Sequence, residues 1–195
     1  EGAAIHSPAT ELVAASTVDE LGEVARETVH EESFGDFDAK AAGWTESERA
    51  GIAPTADGPA FRLRELARGD VYRWVVPALP STYYVFERRV RTEAPLAVDF
   101  AVVEVVDAAK VGGRAMRSNS LKTHWPPLPE SDGAWQRGSV LFFSTPNTHA
   151  LVITARHAAH ATSMAATDGD AWFDDLRVER VAPSHDQTIA LVKAR

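Results

Sequence analysis

From residue 33 onward, apolar side chains recur at every second position in short runs broken by Gly, Pro and Asp, and this period points to β-structure. The clearest run is 96–106, where Leu96, Val98, Phe100, Val102 and Val106 share one face. Further runs lie at 61–66, 83–92, 140–144, 151–156 and 172–181. Thr145-Pro146-Asn147-Thr148 separates two of them as a turn signal. Helical patterning is almost absent after residue 32. Strands at this density predict an all-β chain, a β-sandwich of two antiparallel sheets.

Residues 1–32 have a different texture, without Phe, Trp or Tyr. Thr17-Val18-Asp19-Glu20 forms a capping box ahead of Leu21, Val24, Ala25 and Val29, a spacing that predicts a short amphipathic helix of about three turns. The organisation expected is an N-terminal helical arm over 1–32, a sandwich over 33–181 and a C-terminal exit segment over 182–195. Two long connections, 107–125 and the proline-rich 126–133, are candidates for functional loops.

Hydrophobic residues make up 45% of the 195 and charged residues 25%, enough for one globular domain with a full core. A net charge of −8 excludes the electrostatic footprint of a nucleic-acid binder. The absence of cysteine excludes disulfides, thiol nucleophiles and thiolate metal sites. No apolar run approaches the ~20 residues of a membrane span. A chain that begins at Glu1 without Met or a charged leader reads as a mature or excised piece, in which a signal peptide or anchor is not visible.

The last strong run, Gly169 to Val181, carries two adjacent aspartates, although Asp is depleted in strands. Period two places Trp172, Asp174, Leu176 and Val178 on one row and Phe173, Asp175, Arg177 and Glu179 on the other. The first row is the more apolar, so Asp174 is expected to face inward. A buried carboxylate must be paired, protonated or bound to a metal.

Four segments in order resemble one family. Phe34-Gly35-Asp36-Phe37-Asp38 with Gly43-Trp44 resembles an opening motif. Tyr84-x-Phe86-x-Arg88-x-Val90-Arg91-Thr92 resembles a first long strand. Trp135-Gln136-Arg137-Gly138-Ser139-Val140 followed by Phe143-Ser144-Thr145-Pro146 resembles a third motif, and 171–178 a final strand. Together they resemble carbohydrate-binding-module-like jelly rolls of the galactose-binding-like superfamily. The resemblance implies a jelly-roll fold and a non-catalytic role. It also implies a structural Ca²⁺ held by acids of the opening motif and the final strand, here Asp38, with Asp36 on the same face, and Asp174. Oxygen ligands from two chain ends suit this cation. The alternative for Asp174 is a buried arginine such as Arg88, which lies on an apolar row.

Sugars stack on aromatic rings while polar groups fix their hydroxyls. Trp135 and Trp172 match positions that are core in the resembled family, and Trp44 lies in a structural motif. That leaves Trp74 and Trp125 as candidate platforms, with His124 beside Trp125. Arg117 in the basic loop and Arg88 are the candidate cations, Arg88 serving either a ligand or a buried acid. His157-x-x-His160 lacks a carboxylate at a diagnostic distance. No nucleophile elbow, P-loop, dinucleotide fingerprint or zinc-protease helix is present. The expected function is a non-catalytic carbohydrate-binding-like module, outside the cytoplasm (periplasmic or secreted) and part of a larger protein. The alternative is an accessory domain that binds a protein partner through its arm and long loops.

Overall fold

A computed structural model describes residues 24–44, 46–66, 72–106, 122–157, 169–184 and 186–188. Ten strands build it: β1 (Ala25–Glu32), β2 (Ala50–Thr55), β3 (Gly58–Leu63), β4 (Arg73–Pro77), β5 (Tyr83–Thr92), β6 (Val98–Val105), β7 (Thr123–His124), β8 (Gln136–Phe143), β9 (Ala150–His157) and β10 (Ala171–Ala182). One sheet runs β2-β3-β10-β5-β8, with β1 also paired to β10; the other runs β4-β9-β6-β7. Every pairing is antiparallel. The architecture is the expected jelly-roll sandwich.

The core forms where the inner rows meet. Tyr84, Phe86 and Val90 of β5 face Phe100, Val102, Leu151 and Ile153 of the opposite sheet in one buried cluster. At one end an aromatic group of Phe34, Phe37, Trp44, Phe61, Tyr72 and Trp74 packs ring on ring, with centroids between 4.6 and 6.2 Å apart. Such contacts add about 0.5–1.5 kcal/mol per pair beyond area burial.

The arm departs from expectation. Residues 25–32 are a strand of the sandwich, so the predicted helix does not continue past Val24, and the sandwich takes in residues before 33. Residues 1–23 lie outside the described part. The physical reason is long-range pairing. Arg26 pairs with Glu179 at 3.1 Å, and Glu27 and Glu31 pair with Arg180 and Arg177 across the ladder. Cross-strand ion pairs of this kind override a local helical preference.

The last strand holds a second correction. Ala171 and Phe173 are buried, then Leu176 and Val178. Trp172 therefore faces outward and Phe173 inward, where its ring meets Phe100 at 5.1 Å. The phase changes at the aspartate pair, because the register against β5 shifts between Asp174 and Arg177 and Asp175 takes φ +49°. This is a β-bulge, and Asp is among the few residues that tolerate the left-handed region there. The same point is a fork in the sheet. Ala171–Phe173 pairs with β3, while Leu176–Ala182 pairs with β1.

Candidate functional site

Asp174 is half-buried rather than on the inward row that the alternation predicts, and the arginine beside it is Arg89, not Arg88. Its Oδ2 lies 3.6 Å from Arg89 Nη1, and its Oδ1 accepts from the Phe34 N–H at 3.5 Å, the long limit of a hydrogen bond. It serves the backbone where β1 leaves the fork. Asp38 accepts from the Ala41 N–H at 3.0 Å and closes a local turn, and Asp36 is exposed. Among the described residues no group of three or more His, Asp or Glu side chains is placed to hold a metal ion. Asp36, Asp38 and Asp174 therefore do not form a three-carboxylate cluster.

Arg88 is fully buried and forms a two-pronged pair with Asp99 of β6. Its Nε and Nη2 each donate to a carboxylate oxygen at 2.6 Å. Nη2 also donates to the Pro127 carbonyl at 3.0 Å. Room for the guanidinium comes from Gly138, where a β-carbon would stand 2.7 Å from Nη1. Arg88 thus fastens the two sheets and the segment at Pro127, and it is fully buried.

His124, expected beside a platform, is buried. Its ring stacks on Phe142 at 4.0 Å and its Nε2 lies 2.6 Å from Glu104 Oε1. Glu104 is also buried, and its Oε2 accepts from the Thr145 N–H and the Thr148 hydroxyl. Burial alone would raise the Glu104 pKa, but the hydrogen bonds from His124, Thr148 and Thr145 outweigh it and hold the carboxyl at about 2. Burial lowers the His124 pKa, opposed by Glu104. Both shifts fit a neutral imidazole donating its Nε2–H to a carboxylate. Trp74 belongs to the aromatic end of the core, where its indole N–H is bonded by the Glu32 carboxylate. Trp125 is half-buried. Arg117 lies outside the described residues.

None of these residues lines a cleft that the described strands form at one end of the fold. This cleft, about 380 Å³, sits at the outer end of the six-stranded sheet. The Trp172 indole and Arg91 make its wall; Arg64, Thr92, Glu93 and Asp170 make its polar rim. Arg64 Nε pairs with Asp170 at 2.7 Å. The approach is close because Gly169 lets β10 enter against the 92–95 turn; a β-carbon there would stand 2.5 Å from Ala94 Cβ.

An alternating row crosses the outer face. Arg62 of β3 is in register with Trp172 of β10, and Trp172 with Arg91 of β5. The Arg91 guanidinium carbon lies 5.2 Å from the Trp172 ring and 5.4 Å from Trp135, while Arg89 lies 4.6 Å from Trp135. Both tryptophans are half-exposed rather than core. The expectation from the resemblance missed them because it took the tryptophan positions as packing. A legible signal existed: Arg89-Val90-Arg91 puts two cations on the row opposite buried Val90.

No family model matches the chain, and no curated protein matches it by sequence. Solved structures do match. The CBM22-1 xylan-binding domain of Paenibacillus barcinonensis Xyn10C shares 12% identity at TM-score 0.52, over 83% of this chain and 99% of that one. The CBM22-1–CBM22-2 tandem domain of the same protein matches at 8% identity and TM-score 0.54, over 84% of this chain and 51% of that one. The N-terminal CBM22-1–GH10 piece of Clostridium thermocellum xylanase 10B, solved with xylohexaose, matches at 10% identity and TM-score 0.51. There the match covers 80% of this chain and 29% of the xylanase piece, so this chain corresponds to under a third of that piece. At this identity the likeness is one of fold: the chain is a jelly-roll sandwich of the kind seen in carbohydrate-binding modules.

Proposed function

We propose that the chain is a non-catalytic carbohydrate-binding module that takes a short stretch of a plant-cell-wall-type β-linked glycan into the Trp172 cleft. The observation that carries this is the pairing, in one concave site, of an indole wall with ion-paired and hydroxyl side chains at its rim. Aromatic faces bind the C–H faces of sugars, and fixed polar groups choose among hydroxyls. The fold shared with modules described as xylan-binding supports the substrate class. No helix among the described residues is long and apolar enough to cross a membrane. A module of this kind works outside the cytoplasm, attached to a larger protein.

Calorimetric titration with xylohexaose tests the reading. The native chain is expected to bind, and Trp172→Ala to weaken binding by at least about tenfold with an unchanged circular dichroism spectrum. Binding that survives Trp172→Ala intact removes the cleft from consideration.

A further inference from the structure

Most arginines on the outer face of the six-stranded sheet are neutralised by acids. Arg64 pairs with Asp170 at 2.7 Å and Arg137 with Glu87 at 2.7 Å. Arg89 lies between Asp174 at 3.6 Å and Asp57 at 3.8 Å. Arg26, Arg177 and Arg180 are matched across the β1–β10 ladder. Arg91 differs. Among the described residues no carboxylate stands within ion-pair distance of it, and its guanidinium lies over the Trp135 and Trp172 rings. Stacking occupies the faces of a guanidinium and leaves its N–H edge for a planar oxyanion. Two indoles also fix the group, so little rotamer freedom is lost on binding. In a chain of net charge −8, a cation so held and so unmatched is out of keeping with its surroundings.

We infer that the cleft selects a glycan bearing an anionic substituent, a carboxylate in the first place, which Arg91 grips while Trp172 stacks the adjoining sugar ring. This rests on the carbohydrate reading above and deepens it. The carboxylate of a uronic acid residue has the planar fork that matches the guanidinium edge. Arg62, beyond Trp172 in the same row, extends the positive edge; its Nη2 donates to the Glu48 carbonyl and it has no acid partner among the described residues. Glu93 is the opposing charge at the rim and sets a limit on how tightly an anion is held.

The experiment titrates the native chain with xylohexaose and with a xylooligosaccharide of the same length carrying one glucuronate. The acidic ligand is expected to bind about tenfold tighter, as one hydrogen-bonded ion pair gives. The preference should shrink at high salt. Arg91→Lys and Arg91→Gln are expected to weaken binding of the acidic ligand several-fold more than binding of xylohexaose, so that the ratio of the two affinities falls toward one, and Glu93→Gln to enlarge that ratio. A sulfated oligosaccharide in a third arm separates the sources of the anion. Preference for it over the uronate keeps the anion site and reassigns its ligand to a sulfate ester. Equal affinity for neutral and acidic ligands overturns this inference and leaves the carbohydrate reading standing. Binding of none of the three overturns both.

Discussion

Arg88 and Asp99 make a fully buried, two-pronged ion pair, and such a pair is sensitive to mutation. Removing either partner leaves the other charge buried and unpaired. Arg88→Ala or Asp99→Ala is expected to cost about 3–5 kcal/mol in urea unfolding, whereas replacing both by apolar residues of similar volume should recover most of that loss. Gly138→Ala should also destabilise, since its methyl meets a guanidinium that the pair and Pro127 hold in place. Asp175 is the opposite case. Its φ of +49° suits Gly at least as well, so Asp175→Gly should leave the melting temperature nearly unchanged, while Asp175→Val should lower it. Arg88 was legible as an inward cation from Tyr84, Phe86 and Val90 around it. Its partner was not: period two puts Asp99 on the row opposite Phe100, and no local pattern reveals that an arginine from another sheet reaches it.

At the scale of elements, Glu104 ties β6 to β7 and to the turn at 145–148. Its pKa of about 2 lies below the ordinary 4.5, so its contribution is complete above pH 4.5 and is lost as pH falls toward 2. The limit of that contribution is about 3 kcal/mol. His124 and His30 are held below the ordinary 6.5 by burial, so stability should begin to decline once pH drops below 6.5. Glu32, raised by burial, opposes this weakly. Denaturant titrations from pH 8 to 3 should show a plateau above 6.5 and a steepening loss below 4.5. Glu104→Gln should flatten that acid limb. Long strands such as β5, β6 and β9 were readable from their alternation. Strand β1 was not, because its charges serve partners on β10, some 150 residues away, while its local spacing reads as helix. In β10 the alternation was real, but an uninterrupted period two cannot register the extra residue at the aspartate pair, and so the faces of Trp172 and Phe173 were exchanged.

For the whole molecule, the acids expected to hold calcium are engaged by a backbone N–H or an arginine, or stand exposed. Melting with and without a calcium chelator is therefore expected to give the same midpoint. A shift of several degrees would overturn this and show that the protein holds the ion. The candidate site was the least legible part of the sequence. It depends on Arg62, Trp172 and Arg91 coming from separate strands into one row, with Trp135 beside Arg91 just ahead of β8, a register that only the sheet as a whole determines.

The fork in β10 bears on how this chain behaves at high concentration. Strand β1 occupies the side of Leu176–Ala182 that β3 leaves vacant. A protein shortened to begin at Ser33 would keep every inner-core strand yet present that stretch, including Leu176, Val178 and Val181, as a bare hydrogen-bonding edge. Bare edges recruit other chains. Such a protein is expected to elute from size exclusion as dimers and larger species, exchanging or sharing edge strands, while the full chain elutes as a smaller species. The polar first strand acts as a sacrificial cover whose worth lies in solubility.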